Sequence, residues 1–257
     1  LRLWKRNAAK AIRFVLLLAC LPLRADALGD LRTALKRLQG SDPVKATVDY
    51  QYWRQTSEDG GPVTVQGSVT TRAEDGPQGL RIVWDRATLV AADLELRASA
   101  LAMVQQAPTA QIMRSLTALD IDEHLNEGAT LDRLLLQATQ MDVRPDTWQG
   151  RPATLLAVRL VPLLNPPSLR RAVKEVTAQA QLWLAADGTP LAWRSEVNYK
   201  GSRFLIRFQG VQKEEIHFLR SGNRLLGVWA SNEERQSGFG QSMATRRNYR
   251  IAVNESR

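Results

Sequence analysis

From Leu28 to Gln39 the apolar positions Leu28, Leu31, Leu35 and Leu38 recur at helical spacing, and Gly40 follows as a stop. That pattern predicts a short amphipathic helix. The period then shortens to two. Val44, Ala46, Val48, Tyr50 and Tyr52 alternate with Lys45, Thr47, Asp49 and Gln51, as in a strand with one wet face. Ser57–Pro62 supplies a turn, and Val63, Val65, Gly67, Val69 and Thr71 continue the alternation. After Asp75-Gly76-Pro77, Gly79–Asp85 reads as a third strand, which makes an antiparallel meander.

The centre of the chain changes character. Ala87–Gln106 is rich in Ala and Leu without Gly or Pro, and Pro108 ends it. Thr109–Leu119 and Asp122–Ala138 keep a helical pattern, so a helical insertion is expected at about 87–138. Strands then return at Thr139–Trp148, Arg151–Pro162, Val176–Ala185, Pro190–Lys200, Phe204–Val211, Glu214–Arg220, Arg224–Ala230 and Ala244–Val253. Gln149-Gly150 and Asp187-Gly188-Thr189 are hairpin signals. Ser231–Ser242 is polar and Gly-containing and reads as an exposed loop. About ten or eleven strands without β-α alternation predict an α+β fold with one large antiparallel sheet, curved around the helical insertion.

Composition adds a compartment. The chain has 257 residues, 44% hydrophobic and 24% charged, which excludes a disordered or collagen-like protein. More than half of the formal net charge of +9 sits in residues 1–27, so it is not read as a nucleic-acid footprint. Those residues read as a secretory signal: basic Arg2 to Arg13, the apolar run Phe14–Leu23, and an Ala25-Asp26-Ala27 cleavage box. The mature chain, a single domain over 28–257, would then start at Leu28 in the periplasm or outside the cell. Leu17-Leu18-Ala19-Cys20 loosely resembles an acylation box, but bulky Leu18 and the downstream cleavage box argue against anchoring at Cys20. Cys20 is the only cysteine, so the mature chain is held by its core and not by disulfides.

Candidate chemistry is sparse. The chain holds neither a nucleophile elbow nor a zinc-protease motif nor a phosphate-binding glycine loop. No catalytic residue, metal ligand or cofactor is assigned, and the chain is read as a non-enzyme. His124 lies in the acidic run Asp120–His124, which is read as helix-start chemistry. His217 alternates against Ile216 and Phe218 and is read as a surface histidine. Two basic groups, Arg170, Arg171 and Lys174, and Arg246, Arg247 and Arg250, are candidates for peripheral contact with anionic headgroups, and the preferred reading is a solvated face. The sharper expectation concerns an apolar lining. Leu182, Leu184, Trp193, Phe204, Ile206 and Phe208 would contact acyl chains if they share the concave face, a question of register that sequence leaves open.

The order of these elements resembles the bacterial lipoprotein-sorting superfamily, which includes LolA/LolB-type carriers and RseB-type stress regulators. The resemblance rests on the leader, the helix LGDLRTALKRL (28–38), the strand VKATVDYQYW (44–53), and the segments WQGRPATLLAVRL (148–160) and LWLAADGTPLA (182–192). It implies an unclosed β-barrel with helices as a lid over a hydrophobic cavity. It also implies a periplasmic carrier for a lipid or an acylated protein or, in the alternative, an envelope-sensing module with a protein partner. The insertion is long for a minimal carrier, and no individual lipid-contacting residue of the family is matched.

Overall fold

The computed structural model describes residues 26–58, 61–101, 107–162, 172–203, 206–238 and 240–254. Of the leader expected over residues 1–27, residues 1–25, with Cys20, lie outside them, as do Phe204, Arg170 and Arg171, whereas Asp26 and Ala27 open the first helix. Ten strands form one antiparallel sheet: β1 (Val44–Glu58), β2 (Gly61–Gly76), β3 (Gly79–Trp84), β4 (Thr139–Trp148), β5 (Arg151–Arg159), β6 (Val173–Leu184), β7 (Pro190–Arg203), β8 (Ile206–Ser221), β9 (Arg224–Gly238) and β10 (Gln241–Val253). Their order is β3-β2-β1-β10-β9-β8-β7-β6-β5-β4, so β3 and β4 are free edges and the barrel is unclosed. Among the described residues five helices accompany it: α1 (Ala27–Arg37), α2 (Arg86–Ala100), α3 (Pro108–Ser115), α4 (Ala118–Leu125) and α5 (Glu127–Leu135). The fold is α+β, as the alternation and helical periods predict.

The helix ends follow from local chemistry. Asp26 caps α1 by accepting from Gly29 N at 2.8 Å, and Asp85 caps α2 through Thr88 N at 2.8 Å. Thr117 and Asp120 form a reciprocal capping box on α4, which accounts for the acid at that helix start. Between β4 and β5, Gln149 and Gly150 take φ of 50° and 78°, the paired left-handed residues of a tight hairpin.

Register explains why the sheet has one apolar face. Directly opposed residues make a single row across nine strands: Val143, Leu156, Leu182, Trp193, Ile216, Ala230, Tyr249, Tyr50 and Val69. Side chains alternate along a strand, so this row commits one whole face to the core. Against it pack Leu31 and Leu35 of α1, Ile112 of α3, Ile121 and Leu125 of α4, and Leu131 and Leu135 of α5, all fully buried in one cluster. At roughly 1.5–3 kcal/mol for each fully buried aliphatic or aromatic side chain, this cluster is the main favourable contribution to the fold.

Two expectations are corrected. Ser231–Ser242 is not a loop: β9 continues to Gly238 and β10 begins at Gln241. Its residues are polar on both faces, so no period shows in the sequence. The segment is a strand because β8 and β10 pair with it on either side. Likewise, the two strands expected over 204–220 are one strand, β8, running unbroken through Gln212 and Lys213.

Candidate functional site

The helix-bearing face divides into a filled apolar floor, a buried polar knot and an uncovered end. Of the residues expected to line a cavity, Leu182, Leu184 and Trp193 are fully buried in the floor beneath the helices. Ile206 and Phe208 share the parity of Ile216 on β8 and so point to the same side. They sit beyond the helices, where Ile206 is 44% exposed and Phe208 packs against Tyr199 with ring centroids 6.4 Å apart. Register thus places the five described residues on one face, at two separate stations.

The cover is uneven. The short helix α3 presses Ile112 onto β2 at Gly67, where a Cβ would come within 2.4 Å of the Ile112 Cδ1. A larger residue at Gly67 would therefore lift that helix. By contrast α2 buries only Ala92, in a small alanine cluster with Ala107 and Ala110 of the following segment. Leu89, Val90, Leu94 and Leu101 remain 48%, 48%, 61% and 72% exposed. Among the described residues these side chains form an exposed apolar patch on one helix.

The polar knot joins α4 and α5 to the sheet. His124 Nδ1 lies 2.8 Å from Glu127 Oε1, both buried, and the His124 ring packs on Tyr249 at 4.6 Å. Gly227 of β9 makes the space, since a Cβ there would meet Glu127 Oε1 at 2.8 Å and His124 Nδ1 at 3.1 Å. Next to it Glu214 Oε2 accepts from the Trp193 Nε1–H at 3.1 Å. Burial opposes charge on His124, yet the Glu127 carboxylate outweighs it and lifts the imidazole above its ordinary value. Glu127 is itself pushed up by burial, which the histidine only partly offsets. Glu214 is pushed up to about 6 by burial and by the neighbouring Glu127. Tyr50 and Tyr249 are also raised by burial.

Sequence reasoning missed this knot because Asp120–His124 was read entirely as a helix start. The signal was available: His124 and Glu127 are three apart, and Leu125 and Leu131 beside them are core positions. Buried together, His124 and Glu127 clamp the helices to the sheet. Among the described residues, no group of three His, Cys, Asp or Glu side chains is placed to hold a metal ion. The second basic group divides between faces, because Arg246 and Arg250 alternate with Arg247, whose Nε is buried on the helix-bearing side without a hydrogen-bond partner.

The opposite face carries its own polar and aromatic cluster. Trp148 packs on Trp183 at 4.9 Å and edge-on against His217 at 5.0 Å, and His217 packs on Trp229 at 4.5 Å. His217 is therefore half-buried between two indoles, not a plain surface histidine. A groove of about 400 Å³ borders Trp229 on this side.

Among the described residues, no helix is long and apolar enough to cross a membrane. No protein-family profile matches the chain, and no curated protein matches its sequence. Three similar solved structures stand out. A domain from Vibrio parahaemolyticus assigned to outer membrane lipoprotein sorting is 7% identical, with 89% of this chain and 93% of that one covered and a TM-score of 0.27. The Pseudomonas aeruginosa MucA/MucB complex is 11% identical, covering 88% and 93%, with a TM-score of 0.21. MucB in complex with MucA(peri) is 10% identical, covering 89% and 93%, with a TM-score of 0.19.

Proposed function

We propose that the chain is a periplasmic binding protein of the lipoprotein-sorting type, which holds acyl chains of a lipid or an acylated protein on the helix-bearing face of its open sheet. The observation that carries this reading is α2. Its leucines and valine lie in solvent beside an apolar floor that spans nine strands. Movement of α3, with α2 packed against it, off β1 and β2 would present that floor to a ligand and give the exposed leucines an apolar partner. Each buried CH₂ of an acyl chain would contribute about 0.8 kcal/mol, so one chain suffices for useful affinity. In this reading Leu182, Leu184 and Trp193 form the inner wall, and Ile206 and Phe208 belong to the open end.

Titration of delipidated protein with a fluorescent fatty acid tests it. Saturable uptake is expected, weakened when Leu94 and Leu101 are both replaced by Ser. Absence of uptake would refute the carrier reading. The same exposed helix favours a second reading, docking of an envelope protein partner on α2. Capture of a membrane partner without lipid uptake, lost in the same double variant, would select it.

A further inference from the structure

The groove on the sheet face opposite the helices belongs to neither reading above, and its chemistry differs from theirs. It crosses the strands from β5 to β9 and is walled by Gln179, Gln181, Arg194, Lys213, Glu215 and Trp229. Neighbouring strands lie about 4.8 Å apart, so the groove is about 19 Å long. We infer that this groove is a binding site for a neutral, polyhydroxylated ligand, a short oligosaccharide, with Trp229 as the stacking wall and fixed ionic side chains as the hydrogen-bonding floor.

The floor is built before any ligand arrives. Arg194 donates from Nε and Nη2 to Glu215 Oε2 at 3.2 and 2.9 Å. The other Glu215 oxygen lies 3.0 Å from His217 Nε2. The Arg194 guanidinium also stacks over Trp183 at 5.5 Å, and Trp183 Nε1 donates to Asp146 at 3.0 Å. Beyond them Lys213 Nζ meets Glu196 at 3.3 Å. Side chains held this way have already lost their rotamer freedom, so hydrogen bonds to them cost less entropy. Trp229 packs against His217 and borders the groove. An indole of this kind offers an apolar plane to the C–H face of a sugar ring, while carboxylate, guanidinium and amide groups pair with its hydroxyls.

Other ligand classes fit less well. The wall's carboxylates Glu196, Glu215 and Glu233 outnumber its cations Arg194 and Lys213, which disfavours an anionic headgroup or phosphate. Ionised side chains stand among the apolar surface of its walls, and an acyl chain laid over them would desolvate them without offering a partner. The strands beneath it are interior to the sheet, with their backbone groups paired on both sides, so an extended peptide could not add a strand there.

The test uses the full mature chain and three named probes: chitotriose, cellotriose and a Lys-rich tripeptide. Tryptophan fluorescence and ligand-observed NMR would follow each titration. Saturable binding of at least one trisaccharide is expected, weakened about tenfold by Trp229→Ala. Gln181→Ala, in the part of the lining that β6 supplies, should weaken it as well while leaving the urea unfolding midpoint unchanged. Both variants should take up the fluorescent fatty acid normally, which separates this site from the carrier reading. Failure of both trisaccharides to saturate overturns the proposal. So does binding that survives both substitutions, or binding of the cationic peptide alone.

Discussion

Replacing Glu214 by Gln should make the protein more stable, and only at neutral or alkaline pH. In the folded chain the Glu214 carboxyl is raised from 4.5 to about 6. It lies deep on the helix-bearing face beside buried Glu127 and retains some solvent contact. A carboxyl whose folded value is raised binds its proton more tightly in the folded state than in the unfolded one. Folding is therefore favoured at low pH, and that advantage is lost as pH rises through the folded value near 6. The full penalty above that point corresponds to about 2 kcal/mol. Partial solvent screening reduces it to roughly 1–2 kcal/mol. The same linkage leaves under about 1 kcal/mol at pH 5 and about 0.2 kcal/mol at pH 4. Gln keeps the shape, and its amide oxygen still accepts the Trp193 Nε1–H, so the charge alone is removed. Urea unfolding of both chains at pH 5, 6.5 and 8 reads the effect as a midpoint gap that widens with pH. A variant that is less stable at pH 8, or a gap that does not change with pH, would refute this account of the knot.

Two further substitutions probe other parts of the frame. Arg224 is buried, pairs with Asp75 of β2 and donates from Nε to the Gly40 carbonyl at 2.8 Å, so it ties β9 to β2 and to the segment after α1. Arg224→Met should cost about 3 kcal/mol in urea unfolding, because Asp75 is left buried without its partner. High salt should not mask the loss. Thr117→Ala removes the hydroxyl half of the α4 capping box, while the backbone N–H of residue 117 still donates to Asp120, and should cost about 1 kcal/mol, read as a small fall in melting temperature without change in circular dichroism.

Much of the architecture was legible because its residues obey one period at a time. The alternation in Thr245, Arg247, Tyr249, Ile251 and Val253 gave β10, and the leucine stripe of 28–38 gave α1. What escaped was structure held by pairing alone. The second half of β9 is polar on both faces, so only its neighbours make it a strand. The sidedness of Leu182, Trp193 and Ile206 was also hidden, since it depends on register between strands that are far apart in sequence. The two polar features were hidden for a related reason. His124 and Glu127 gain meaning only once Gly227 is brought against them. Trp148, Trp183, His217 and Trp229 lie on four different strands, and only the sheet gathers them.

The strand order has a temporal consequence. β10 lies between β1 and β9, so residues as far apart as Ala46 and Val253 are direct partners. Until β10 is in place, the chain holds two half-sheets, β3-β2-β1 and β9 through β4, each with an extra open edge and an apolar face. Strand β10 is thus the keystone that joins them, and it is synthesised after the other nine described strands. Folding must wait for it, which makes assembly slow and dominated by contacts distant in sequence. Truncation before Gln241 would not trim this protein but leave two half-sheets unjoined, each prone to find another chain's edge instead.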